Sequence, residues 1–222
     1  MPITPNPGEG LIRSHDLLEQ LNDDVHSSFE RLESDRSSMF LRRCLVRSLY
    51  AYIEGVLEVI KVEIRSNLRT RVINIKLTKS EAELIGSISY GRDGDIRFGL
   101  LDNFKRTFRL ASKVWRLKGF ELNTSGEEFA TFKRSKKARD KLTHPKTLYD
   151  VEVTDLDMSD HAETSIWVRN LFRSLFTLRI DQMFVDIPNE DVSAIRNALA
   201  AAATPSASPS DRPVPLSPHR RG

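Results

Sequence analysis

The residues of this 222-residue chain best suited to chemistry lie in one short run, Arg139-Asp140-Lys141-Leu142-Thr143-His144-Pro145. An arginine and a histidine suffice for RNA cleavage without a metal. Histidine titrates near neutral pH, so a neutral imidazole can take the proton from a ribose 2′-OH. A guanidinium stabilises the charge that builds on the phosphorane-like transition state. Asp140, beside Arg139, would orient either group. Other catalytic patterns are missing. The sequence has no glycine-rich phosphate loop, no His-Glu-x-x-His and no Gly-x-Ser-x-Gly, and its five histidines are scattered. The spacing of Arg139 and His144 is not specific by itself, since Arg212 and His219 repeat a similar separation near the end of the chain.

The elements that position these residues are read from hydrophobic period. On a helix, Arg139 comes seven positions after Phe132, only about 20° around the axis. If Phe129, Phe132 and Leu142 face inward, Arg139 sits on or beside the buried stripe, where an unpaired charge is costly. It must then pair with a carboxylate or line a pocket. Ser125 and Glu128 predict a capping box that starts this helix. Pro145 disfavours helical geometry at His144 and stops it near Thr143, so a short non-helical segment can turn the imidazole back toward Arg139.

The same periodicity predicts a helix over 11–32 and a long one, capped by Asp35 or Ser37, running to about Leu68. A short one around Leu84 would be boxed by Thr78/Glu81 or Ser80/Glu83. Others cover 102–117 and 159–185, with a short Ala-rich helix after Asn189. Residues 70–76 and 88–99 read as irregular, with a small hairpin about the Gly91–Gly94 turn. The fold class is therefore all-α, an antiparallel bundle of about five to six helices over 11–203. It follows a flexible N-terminus over 1–10 and precedes a Pro/Ser-rich tail over 204–222 that is expected to be disordered.

Composition narrows the rest. The net charge is +3, and Arg212, Arg220 and Arg221 against Asp211 put two of those charges in the tail. The near-neutral body does not announce a polyanion partner by bulk charge. A lone cysteine, Cys44, excludes an intramolecular disulfide or a Cys-based zinc cluster, and it is expected to be packed. Apolar stretches are too short for a membrane span and residues 1–10 do not resemble a secretory signal, which points to a cytoplasmic protein with no membrane partner. Lys105, Arg106, Arg109, Lys113 and Arg116 flank the Phe104/Phe108/Trp115 face of the fourth helix. A solvated basic face accounts for them, and the first four are also candidates for contact with an RNA backbone. Glu54 is placed to pair with Arg139 across the bundle, or to form a local ladder with Arg47 and Lys61. His15, His26 and His161 fall in polar surroundings and are assigned no role.

The run 139–145 resembles the Arg-polar-x-x-x-His signature of the HEPN superfamily, and segments 45–55 (LVRSLYAYIEG), 77–81 (LTKSE), 103–108 (NFKRTF) and 140–146 (DKLTHPK) are similar to stretches of bacterial HEPN-like proteins. The resemblance spans about 40–185. It implies a HEPN-like bundle acting as a metal-independent endoribonuclease without a cofactor. RNA would be its substrate, with Arg139, Asp140 and His144 in a composite site at a homodimer interface. It further implies a toxin or phage-defence setting with an antitoxin or defence partner. The alternatives are a non-catalytic RNA- or nucleotide-binding module and a protein-interaction adaptor. The adaptor would lack RNA affinity and expose an apolar patch elsewhere, for instance near Trp167, Leu171, Phe172 and Phe176 on the last long helix.

Overall fold

A computed structural model describes residues 7–70, 74–86 and 98–183, and among them every regular element is helical. The helices are α1 (Pro7–Ser34), α2 (Met39–Arg69), α3 (Lys79–Gly86), α4 (Leu100–Val114), α5 (Glu127–Thr143) and α6 (Asp155–Met183), with a 3-10 turn at Leu148–Val151 before the last. The expected all-α bundle is present. The hairpin about Gly91–Gly94, the Ala-rich helix after Asn189 and the tail 204–222 lie outside the described residues. So do residues 1–6 of the expected flexible N-terminus, whereas α1 already begins at Pro7, a residue favoured in a first helical turn.

The central helix is α2. Val46, Leu49, Ile53, Val56, Ile60 and Ile64 recur at threes and fours and are almost wholly buried, which gives α2 a continuous apolar seam. Ser38 caps it by accepting from the Leu41 N–H at 3.4 Å; the sequence points to Asp35 or Ser37 instead. Asp35 takes the Ser37 hydroxyl at 2.7 Å, within the turn just before the cap.

α1 runs antiparallel to α2, with Ser28 against Ser48 at 2.9 Å and Leu18 and Leu21 against Gly55. A side chain at Gly55 would meet Leu21 Cδ1 at 2.6 Å, so the close approach of the two helices depends on this glycine. α4 and α6 complete the core through aromatic packing. Phe104 contacts Phe108, Phe132 and Trp167 at centroid distances of 4.7, 4.8 and 5.5 Å, and Trp115 meets Phe176 at 5.7 Å. Trp167, Leu171, Phe172 and Phe176 are partly buried and pack against the core, so the open patch given as one instance for the adaptor alternative is not at these residues.

α3 starts at the expected capping box. The Thr78 N–H donates to Glu81 at 2.8 Å and the Glu81 N–H to the Thr78 hydroxyl at 3.3 Å. The Ser125/Glu128 box does not form. Gly126 is the N-cap of α5, and the Asn123 side-chain oxygen accepts from the Ser125 N–H, the Ser125 hydroxyl and the Gly126 N–H, all at 3.0 Å. α6 begins four residues before the expected start. Thr154 and Asp157 form its box, with the Thr154 N–H on Asp157 at 2.9 Å and the Asp157 N–H on Thr154 at 3.1 Å. α5 and α6 are antiparallel, joined by Thr131 to Glu163, Ser135 to His161 and Arg134 to Asp160.

Candidate site on helix α5

The buried stripe of α5 is Phe129, Phe132, Ser135 and Leu142, and Arg139 occupies the gap between the last two. Its side chain is 26% exposed, a half-burial that demands a partner. Glu54 of α2 supplies it, accepting from the guanidinium at 2.7 Å. The guanidinium also lies over the Tyr50 ring, 5.4 Å from its centroid, and reaches Asp140 at 3.4 Å. The pairing across the bundle thus forms. The local ladder does not, because Lys61 is buried beside Ile60 and Ile64 while the Glu54 side chain is 51% exposed. Burial also pushes the Lys61 amine below its ordinary range. Asp140 is shared, since Lys136 binds its other oxygen one turn back.

α5 ends at Thr143, as Pro145 requires, and His144 leaves helical geometry with φ −131° and ψ 61°. Its N–H donates to the Asp140 carbonyl at 3.0 Å, and its side chain is exposed. Among the described residues no hydrogen bond or ion pair joins the His144 ring to Arg139. Arg139 and His144 therefore both face accessible surface from one helix end, one anchored and one free, without touching inside a single chain.

The basic face of α4 is largely occupied by local partners. Lys105 pairs with Asp102 at 3.0 Å, Arg106 donates to Ser80 at 2.8 Å and stacks over Phe98 at 4.6 Å, and Lys113 binds Glu81 at 2.6 Å. Lys113 and the Thr78 N–H hold the Glu81 carboxyl below the usual carboxylate range. Arg109 is exposed and has no ion-pair partner among the described residues. Phe104, Phe108 and Trp115 are fully buried core residues. Half-buried Cys44 is a free thiol.

His161 overturns its assignment to polar surroundings, for it is 2% exposed. Its Nδ1 lies 2.6 Å from the Ser135 hydroxyl, which lies 2.8 Å from the Tyr50 hydroxyl. Burial pulls the imidazole down to about 4, against the pull of Asp157 and Asp160 in the other direction, so it is neutral at physiological pH. Burial likewise raises the Tyr50 phenol. The network passes directly beneath Arg139, since Tyr50 contributes both its hydroxyl to Ser135 and its ring to the guanidinium. The sequence held one signal for His161. Stepping back by sevens along α6 from buried Leu175 leads to buried Val168 and then to His161.

Among the described residues no three His, Cys, Asp or Glu side chains converge to hold a metal ion, and no helix is long and apolar enough to cross a membrane. The fold and site define an all-helical bundle with a guanidinium anchored on its second and fifth helices. No family model, curated protein or solved structure matches the chain.

Proposed function

We propose that this protein is a metal-independent endoribonuclease in which Arg139 binds the scissile phosphate and His144 moves the proton of the attacking 2′-OH. One observation carries the reading: Arg139 is a guanidinium held ready on a packed helix by Glu54 and Tyr50, yet partly open to solvent. A guanidinium offers five N–H donors, and Glu54 and Asp140 use only part of that set. A phosphate competes for the rest and, by displacing the solvent-exposed Glu54 carboxylate, for the remainder. The exposed His144 ring supplies the proton carrier, and Asp140 ties Arg139 to the carbonyl that ends the helix.

Because Arg139 and His144 do not touch within one chain, this reading needs a homodimer in which the pairs of two copies converge. Arg109 is the residue of the α4 face best placed to meet the RNA backbone, being exposed without a local ion pair. A toxin or phage-defence role, with an antitoxin or defence partner, follows the same resemblance.

The ion pair itself favours a second reading, an RNA- or nucleotide-binding module that does not cleave. Arg139 and Asp140 already have opposite charges beside them, which a purely binding site tolerates better than a catalytic one. Incubation of total RNA in EDTA with wild type, Arg139→Ala and His144→Ala separates the two. Cleavage by wild type and loss of at least about 100-fold in each variant is expected, the scale of a missing acid–base or electrostatic group. RNA retained without cleavage, and still retained by His144→Ala, would establish the binding module instead.

A further inference from the structure

A groove of about 260 Å³ lies between α3 and α4, smaller than the pockets that enclose a whole drug-sized ligand and suited to a small ligand or to one end of a larger one. Buried Leu84 and Leu110 form its apolar part. Arg106, Arg109 and Lys113 line it from α4, since positions three, four and seven residues apart return to one face of a helix. Ser80 and Glu81 line it from the first turn of α3.

Three cations face one carboxylate in this groove, which leaves an excess of two positive charges. The charges that flank it cancel, Lys105 with Asp102 at 3.0 Å and Lys79 with Glu83 at 4.0 Å. Both oxygens of the Glu81 carboxylate are in use, one on Lys113 at 2.6 Å and the other on the Thr78 N–H at 2.8 Å. Arg106 is steadied from two sides, donating to the Ser80 hydroxyl at 2.8 Å and lying over the Phe98 ring at 4.6 Å. That bond uses one of its five N–H donors. Arg109 stands between the other two cations, one turn from each, exposed and without an ion-pair partner among the described residues.

We propose that the α3–α4 groove binds a phosphomonoester dianion, the terminal phosphate of a nucleotide, of a sugar phosphate or of an RNA end. Its two charges match the excess, whereas a phosphodiester or a lone carboxylate carries one. Arg109 and the free edge of Arg106 offer forked donors to its oxygens. Lys113 adds a point charge shared with Glu81, and the Ser80 hydroxyl accepts from Arg106 while donating to the phosphate. The groove shares no residue with the Arg139 site, so the inference goes beyond the endoribonuclease reading and does not need it.

The test is nitrogen-15 NMR of the full chain at constant ionic strength, following the Arg106 and Arg109 Nε–H and the Ser80 N–H during titration with inorganic phosphate, adenosine 5′-monophosphate and acetate. Both phosphates are expected to shift all three signals with one dissociation constant of about 1 mM or less. Arg109→Gln should weaken that binding about five- to tenfold. Glu81→Gln keeps the cap on Thr78 and releases Lys113, so it should tighten binding about two- to fivefold. Lys118→Gln, the same loss of charge at an exposed position outside the groove, should leave binding unchanged. A 5′-phosphorylated 2′-O-methyl trinucleotide separates the sources: tighter binding than adenosine 5′-monophosphate assigns the groove to an RNA end, and equal or weaker binding to a free nucleotide or sugar phosphate. No saturable shift by about 10 mM phosphate, an equal response to acetate, or equal binding of the trinucleotide without its 5′-phosphate would overturn the proposal. So would an Arg109→Gln effect no larger than that of Lys118→Gln. RNA cleavage enters none of these readouts, so a failure here is distinguishable from a failure of the endoribonuclease reading.

Discussion

Replacing Ser135 with alanine removes one oxygen from a place where nothing can take its position. Ser135 is fully buried and its hydroxyl serves two partners, Tyr50 at 2.8 Å and His161 at 2.6 Å, which are themselves 1% and 2% exposed. The substitution leaves a phenol and an imidazole nitrogen without partners in a dry interior. Each orphaned group costs about 1–3 kcal/mol, so Ser135→Ala should lose about 2–6 kcal/mol. At about 2–4 °C per kcal/mol for a domain of this size, the melting temperature falls by roughly 4–24 °C. Tyr50→Phe removes one of the two orphans in advance. The double variant Tyr50→Phe/Ser135→Ala should therefore be more stable than the sum of the single losses predicts, by about 1–2 kcal/mol. Urea unfolding followed by far-ultraviolet circular dichroism measures all three. A Ser135→Ala loss within about 0.5 kcal/mol of zero, or strict additivity with Tyr50→Phe, would show that the three side chains are not joined as described.

Two further outcomes follow from the same groups. The His161 imidazole is held down at about 4 in the folded chain and returns to an ordinary value near 6.5 on unfolding. The unfolded state thus binds the extra proton first, and stability is lost as pH falls from about 6.5 toward 4, by about 3 kcal/mol from this group. His161→Gln should flatten that part of the pH–stability curve, and an unchanged slope would contradict a buried neutral ring. Glu54→Gln should cost no more than about 1 kcal/mol, since Glu54 is 51% exposed and its ion pair is screened. It should also raise RNA retention in a filter-binding assay by releasing the guanidinium. A fall in retention would mean that Glu54 holds Arg139 in its binding geometry instead of competing for it.

Much of this architecture is legible in sequence periodicity because the helices are amphipathic. The seam of α2 and the Phe129/Phe132/Leu142 stripe of α5 are fixed by threes and fours alone, and the half-burial of Arg139 follows from its place seven residues after Phe132. Helix ends are harder, because one cap can replace another. Asn123 takes the role expected of Ser125 by folding its side-chain oxygen over three donors. Thr154 and Asp157 extend α6 backwards through a segment whose charges mask the start. The partner of Arg139 depends on how α2 meets α5, which no local pattern fixes, so Glu54 stays one of two options until the helices are packed. His161 is hidden for a related reason. It stands in the polar run Asp160-His161-Ala162-Glu163, and only Tyr50 and Ser135, distant in sequence, make its burial tolerable.

The central claim is that Arg139 and His144 cleave RNA by internal attack, and the chemistry of the product ends tests it most directly. Fragments formed in EDTA by the wild-type chain are expected to carry 2′,3′-cyclic phosphates, as attack by the neighbouring 2′-OH requires, and to vanish with His144→Ala and with Arg139→Ala. Fragments ending in 3′-hydroxyl groups, or cyclic ends produced undiminished by His144→Ala, would contradict the account.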